Sequence, residues 1–312
     1  MRPILLVALG GNALIRKGQS GTVAEQFQNL TIPVAQIARL SNEFRIIITH
    51  GNGPQVGTLL LQQECCSEAP RLPLEILVAQ TQGQIGYMIE STLDNELTRL
   101  EGEHQKLIVT VLTYVLVDEN DPGFLTPTKP IGPVLDQDSL AGRAYPVAQT
   151  SRGPRRVVAS PRPVTIIEKR EIKRLIDMGF IVIACGGGGI PVIRHGRAFQ
   201  GVDAVIDKDL ASAKLAEEVG ADILIIATDV EGVAISYSAP DEMFLRRITA
   251  DEAERYLREG HFPPGSMGPK VEAALQFLTS GGRRALICSI DAIEKALAGE
   301  AGTEIVAGCE RG

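Results

Sequence analysis

The sequence predicts an α/β protein built on an open, mostly parallel sheet with helices on both faces. Short apolar runs recur at residues 4–9, 45–49, 107–117, 180–185, 222–228 and 284–290, and helical patterns separate most of them. Strands that are apolar throughout are buried on both faces, as a parallel sheet between helix layers requires. Three of the runs also stop at glycine clusters: Gly10-Gly11-Asn12, His50-Gly51-Asn52-Gly53-Pro54 and Gly186-Gly187-Gly188-Gly189. In such sheets ligands sit beyond the carboxyl ends of the strands. Glycine there lets backbone N–H groups approach a ligand with no Cβ in the way, and such groups make anion sites. Three such turns in one chain imply one strongly anionic ligand, or two reacting ones, above adjacent strands.

The helices can be placed in order. One is expected at 54–64, after the second glycine turn. A second, at 209–219, carries Leu210, Ala213, Ala216 and Val219 on one face, with Asp209 as N-cap and Gly220 as C-cap. A third, at 271–278, begins after Pro269 and ends before Gly281-Gly282. Residues from about 118 to 163 break the rhythm. They are rich in Pro, Gly, Asp and Arg, as in Pro127-Thr128-Lys129-Pro130-Ile131-Gly132-Pro133 and Arg152-Gly153-Pro154-Arg155-Arg156. A plain loop of that length is improbable in a compact domain, so the segment reads as a small protruding subdomain.

Composition narrows the function. Of the 312 residues, 44% are hydrophobic and 22% charged, an ordinary globular balance. The net charge is −7, with no Lys/Arg block and no Trp, which argues against nucleic acid as a partner. The first apolar run is too short for a signal h-region, and no stretch reaches membrane-spanning length. The expected setting is therefore cytoplasmic. Cys65, Cys66, Cys185, Cys288 and Cys309 show neither disulfide nor zinc spacing and read as free thiols. Four isolated histidines give no metal or general-base motif. The glycines do not form a dinucleotide fingerprint, and there is no GxxxxGK[ST] or GxSxG.

Three lysines stand out. Lys129 is next to Pro130 in the subdomain, Lys208 precedes the 209–219 helix, and Lys270 stands at the mouth of the 271–278 helix. A cation at a helix N-terminus opposes the macrodipole unless an anion is present. These placements point to phosphate.

Taken together, the segments resemble the carbamate kinases of the amino acid kinase family. The matching pieces are Ala8-Leu9-Gly10-Gly11-Asn12-Ala13-Leu14, His50-Gly51-Asn52-Gly53-Pro54-Gln55-Val56-Gly57, Asp121-Pro122, the Lys129 segment, Ser160-Pro161, Gly186-Gly187-Gly188-Gly189-Ile190-Pro191, Val205-Ile206-Asp207-Lys208-Asp209-Leu210-Ala211-Ser212, and Pro264-Gly265-Ser266-Met267-Gly268-Pro269-Lys270-Val271. They come in family order and span nearly the whole chain. Ala234 and Thr126 depart from the pattern, standing where an aromatic residue and an asparagine are usual, and Gly232 loosens the turn before Ala234. The first of these bears on nucleotide affinity and base selectivity.

The resemblance implies the reversible reaction ATP + carbamate ⇌ ADP + carbamoyl phosphate, with Mg²⁺ carried by the nucleotide, no protein-held metal, and a homodimer. It implies one domain over 1–312, in which residues 1–180 hold carbamate and residues 181–312 hold the nucleotide. It also assigns roles. Gly10, Gly11, Gly51, Asn52 and Gly53, with the Asn12 side chain, cradle carbamate and the migrating phosphoryl group. Lys208 and Lys270 bind phosphate oxygens, Asp209 orients them, and Lys129 reaches down from the subdomain. Gly186 and Gly187 lie near the polyphosphate, and Thr228, Asp229 and Met267 line the nucleoside pocket. The same residues fit a kinase of another small carboxylic or phosphorylated acid, or a nucleotide sensor on the same fold. Retention of Asn12, Lys129, Lys208, Asp209 and Lys270 favours catalysis.

Overall fold

A computed structural model describes residues 1–66, 68–102, 106–136, 145–150, 153–237, 242–263 and 265–308. Arg152, Pro264 and Cys309, and His104 among the four histidines, lie outside the described residues. The central sheet has eight strands, in the order Arg247–Thr249, Thr303–Val306, Arg284–Ser289, Ile223–Thr228, Ile4–Leu9, Arg45–His50, Ile181–Ile183, Ile108–Thr110. Every neighbouring pair is parallel except Arg284–Ser289 with Thr303–Val306.

The helices are α1 (Val23–Leu40), α2 (Gly53–Cys65), α3 (Leu74–Glu101), α4 (Lys169–Asp177), α5 (Lys208–Val219), α6 (Ala250–Arg258), α7 (Met267–Thr279) and α8 (Ile293–Leu297). The twofold period of the strands sorts their side chains between two helix layers. Ile4, Leu6 and Ala8 pack with residues of α4, α5, α6 and α7. Leu5, Val7 and Leu9 pack with α1, α3 and α8 on the other face. Both faces of the first strand are fully buried, which explains its lack of polar alternation.

Three smaller sheets stand off this core. Ala198–Gly201, Ile190–His195, Tyr114–Val117 and Pro163–Ile166 form one. Lys129–Ile131, Gly153–Val158 and Val147–Thr150 form a second, antiparallel throughout. Val233–Ile235 pairs with Met243–Leu245 in the third. The Lys129 sheet rests on α2: Gly132 N donates to Gly53 O at 2.9 Å. A Cβ on Gly57 would fall 2.0 Å from Gly132 N, so only glycine allows this approach.

The apolar run at 107–117 is not one strand. Ile108–Thr110 edges the central sheet, whereas Tyr114–Val117 pairs with Ile190–Val192 in the four-stranded sheet. The break falls at Thr113. Its N–H donates to Gln82 Oε1 at 2.9 Å, and its carbonyl accepts from Gln82 Nε2 at 3.2 Å. The carbonyl also accepts from Ile190 N at 2.8 Å, so the buried side-chain amide takes the place of a ladder partner at the N–H alone. Helix α7 also starts earlier than its proline suggests, at Met267, with Pro269 in its first turn. First-turn N–H groups have no intrahelical acceptor, so the missing donor costs nothing there.

Candidate active site

The register sets three glycine turns at one edge of the sheet. Leu9 lies opposite both His50 and Ala227, and Ile48 lies opposite Ile183. The chain leaves the first strand at Gly10, whose N–H donates to Ala227 O at 2.9 Å. A Cβ at Gly10 would sit 2.9 Å from that same carbonyl oxygen. Gly11–Ala13 then forms one 3-10 turn. Gly51 N–H donates to Leu9 O at 3.0 Å, and a Cβ there would come within 3.3 Å of Gly11 N. The first two turns therefore touch.

Helix α2 begins directly after the second turn. Asn52 occupies its N-cap position, but the side chain makes no cap. It donates instead to Thr81 Oγ1 at 2.9 Å and is buried. Asn52 therefore leaves the first amides of α2 uncapped by its side chain, at the end where Gly53 and Pro54 line a cleft. In the third turn Cys185, Gly187, Gly188 and Gly189 all have positive φ, at 49°, 66°, 89° and 87°. Gly187 enters the cleft, and a Cβ on it would lie 2.2 Å from Asn52 Nδ2. Gly186 stands behind, packed on His50, where a Cβ would be 2.5 Å from Nε2.

The charged groups come from two helix starts and the protruding sheet. Lys208 opens α5 and is buried. Its Nζ donates to Asp209 Oδ1 and to Ala8 O, the latter at 3.4 Å. Lys270, in the first turn of α7, donates to Asp209 Oδ2 at 3.0 Å. One buried carboxylate thus holds two ammonium groups, one on each oxygen. Burial opposes its charge, but Lys208 and Lys270 prevail and keep Asp209 ionised, well below the usual carboxylate range. Burial pulls Lys208 below the ordinary lysine value against the attraction of Asp209, while for Lys270 burial is the largest single influence but Asp209, Asp207 and Asp229 together outweigh it and leave the amine above that value. A hydrogen bond of 2.6 Å between Thr49 Oγ1 and Ser212 Oγ pins α5 to the second strand.

The N-cap of α5 is Asp207, not Asp209. Asp207 has extended φ/ψ, and its side chain accepts from Asp209 N at 2.9 Å and Leu210 N at 3.4 Å. Asp209 is already in the first turn, which frees its carboxylate for the lysines. Lys129 Nζ, from the three-stranded sheet, donates to the other oxygen of Asp207 at 2.5 Å. His50 is fully buried beside Gly51. Burial lowers its pKa to about 4, with Lys208 adding to the effect and its bond to Gly51 O opposing it, so the ring is neutral at pH 7.

Most of these groups border one cleft of about 460 Å³, large enough for a nucleotide and a small acid together. Gly10, Gly11, Asn12, Gly51, Asn52, Gly53, Lys129, Gly187, Lys208, Asp209, Thr228, Asp229, Met267 and Lys270 line it. Gly186 does not. Asp207, Arg155 and Tyr237 also line it, with no role assigned to them from the sequence. The Asp-Lys-Asp run at 207–209 carried a signal for Asp207; nothing in the local pattern marked Arg155, whose Nε donates to Gly132 O at 3.0 Å.

The cleft offers little for a protein-held metal. Asp207 and Asp209 are committed to lysines, and Asp229 accepts from Thr228 Oγ1 at 3.2 Å. Among the described residues, no group of three or more His, Cys, Asp or Glu is placed to hold an ion, and no helix is long and apolar enough to cross a membrane.

Comparison with known proteins agrees with this geometry. The profile described as "Amino acid kinase family" matches residues 3–289. The carbamate kinase of Thermococcus kodakarensis is 48% identical, over 97% of this chain and 98% of its own. That of Pyrococcus horikoshii is 46% identical, over 96% and 98%. The structure of carbamate kinase from Giardia lamblia bound to AMP-PNP superposes with a TM-score of 0.88 at 39% identity, covering 98% of this chain and 99% of that one.

Proposed function

Because this chain belongs to the amino acid kinase family, we propose that it acts as a carbamate kinase, catalysing ATP + carbamate ⇌ ADP + carbamoyl phosphate. The observation that carries this is the convergence of the glycine turns and the Lys208–Asp209–Lys270 cluster on one cleft. Relatives with this name match it from end to end, and a neighbour of the same shape binds an ATP analogue.

Phosphoryl transfer needs in-line placement and neutralised charge, with little covalent help from the protein. Carbamate is already an anionic nucleophile, so no base has to activate it. His50 does not line the cleft, which fits that requirement. Bringing a carbamate oxygen to the γ-phosphorus sets two anions against each other. In our reading, backbone N–H groups at Gly10, Gly11, Gly51 and Gly53 and the side chain of Asn12 cradle carbamate and the migrating group, with Asn52 fixing the second turn from below. Lys208 and Lys270 hold β- and γ-phosphate oxygens. Asp209 fixes both lysines in advance, so their charge reaches the transition state without reorganisation. Lys129 covers the phosphoryl group from the protruding sheet. Gly187 lies along the polyphosphate, with Gly186 supporting it from behind. Thr228, Asp229 and Met267 hold the nucleoside. Mg²⁺ on the phosphates neutralises part of the developing charge.

By this assignment residues 1–180 hold carbamate, with the protruding part over about 118–163, and residues 181–312 hold the nucleotide, all within one domain. The active form is a homodimer in the cytoplasm. Purified protein should release ADP from MgATP only when ammonium bicarbonate, the source of carbamate, is present. ADP release that is equal with ammonium acetate would contradict the proposal.

A further inference from the structure

Asp207 does two things with one carboxylate. Its Oδ1 accepts from the amides of Asp209 and Leu210, closing the first turn of α5, and its Oδ2 accepts from Lys129 Nζ at 2.5 Å. The residue that caps the helix carrying Lys208 and Asp209 therefore also grips the lysine of the protruding sheet. Two other polar ties of that sheet lead to α2: Gly132 N to Gly53 O, and an ion pair of 2.6 Å between Arg156 and Glu64. The Lys129–Asp207 contact instead crosses the cleft to α5, between residues 78 apart in sequence.

A lysine ammonium is a point charge on a flexible stem. It lowers a barrier most when its position is fixed beforehand. For the Lys129 amine, the fixing contact is Asp207. Two backbone amides hold that carboxylate, and it engages one of the three N–H donors of the ammonium, leaving others for an anion in the cleft. We infer that Asp207 is a positioning residue for Lys129: it holds the ammonium over the cleft and couples the protruding sheet to the helix that carries Lys208. The kinetic consequence rests on the carbamate kinase reading; the contact itself does not.

Asp207→Ser tests it, because serine keeps an oxygen for the cap and removes the one that holds Lys129. Asp207→Asn serves if the serine variant melts early. The first readout is acetylation of Lys129 by acetic anhydride in the full chain without substrate, followed by mass spectrometry, with Lys173 as internal reference. Lys129 should react several-fold faster in the variant, and Lys173 at the same rate. The second is a mutant cycle in the ATP-forming assay. Asp207→Ser should lower kcat/KM for carbamoyl phosphate about 10- to 100-fold, leave KM for ADP unchanged, and have under about a 2-fold effect when Lys129 is already alanine. An equal loss in both backgrounds would assign Asp207 to the cap alone and overturn the inference. So would unchanged labelling of Lys129, a result that stands whether or not the wild type makes ATP. An inactive wild type with faster labelling in the variant would instead count against carbamate as the substrate and keep the positioning contact.

Discussion

Lys270, in the first turn of α7, places its ammonium 3.0 Å from Asp209 Oδ2 in the first turn of α5. Lys208 takes the other oxygen. Two helix starts on separate segments are thus joined through one buried carboxylate, and each presents a cation where the helix dipole alone would disfavour it. The arrangement leaves a net positive charge facing the cleft, which an anionic ligand can neutralise.

Lys208→Ala and Lys270→Ala should each lower turnover by about 10²–10³-fold. Each single variant leaves Asp209 one lysine, so the fold should persist. Asp209→Asn should behave differently. It leaves two ammonium groups without their carboxylate and should lose about 3–5 kcal/mol of stability along with activity. Steady-state kinetics and denaturant unfolding of the three variants separate these outcomes. Near-normal turnover in either lysine variant would remove that lysine from the mechanism.

The glycines should divide by what surrounds them. Gly187→Ala must place a Cβ 2.2 Å from Asn52 Nδ2 at a φ of +66°, and Gly186→Ala must place one 2.5 Å from His50 Nε2. Each should cost about 1–3 kcal/mol, and Gly187→Ala should also weaken nucleotide binding. Gly83, inside α3, has an ordinary φ, and a Cβ added there would meet nothing within 4 Å. Alanine at that position should add about 0.5–1 kcal/mol. Urea midpoints measure all three.

His50 should make the fold acid-sensitive. Its folded pKa is about 4 against an ordinary 6.5, because burial disfavours the charged ring. The unfolded chain therefore binds the extra proton first as pH falls. The stabilisation is complete above pH 6.5 and fades as pH drops towards 4, by up to about 3 kcal/mol at 1.36 kcal/mol per pH unit. Asp207 and Asp209 have lowered folded values and act in a separate window, losing their contribution below the ordinary aspartate value of 3.8. Denaturant unfolding of His50→Gln at pH 7 and pH 5 should show a flatter pH dependence than the wild type. An identical slope would rule His50 out as the cause.

Chelation should separate activity from folding. With EDTA the reaction should stop, since Mg²⁺ rides on the nucleotide, while the ligand-free protein should melt at the same temperature. A lower melting temperature in EDTA would reveal a metal held by the protein.

Much of this site is legible in the chain, because the contrast between a β-branched run and a glycine cluster is local. The strand ends at Leu9, His50 and Ile183 show it directly. The break at Thr113 is not legible, because apolar residues continue on both sides and the partner that ends the ladder, Gln82, lies 31 positions away. The cap of α5 is ambiguous in the sequence for another reason. Asp207 and Asp209 are chemically identical, and only the backbone dihedrals decide which one stands outside the helix. Gly186 and Gly187 likewise differ only in which way the turn faces. Arg155 comes to the cleft through the pairing of its strand with Val147–Thr150 and Lys129–Ile131, which no short-range pattern encodes.

Carbamate kinase activity is tested most simply in reverse, by ATP formation from MgADP and carbamoyl phosphate, run beside acetyl phosphate. Rapid ATP formation is expected with carbamoyl phosphate alone. Equal rates with acetyl phosphate, or tight ADP binding with no ATP formed from carbamoyl phosphate, would contradict the proposed reaction.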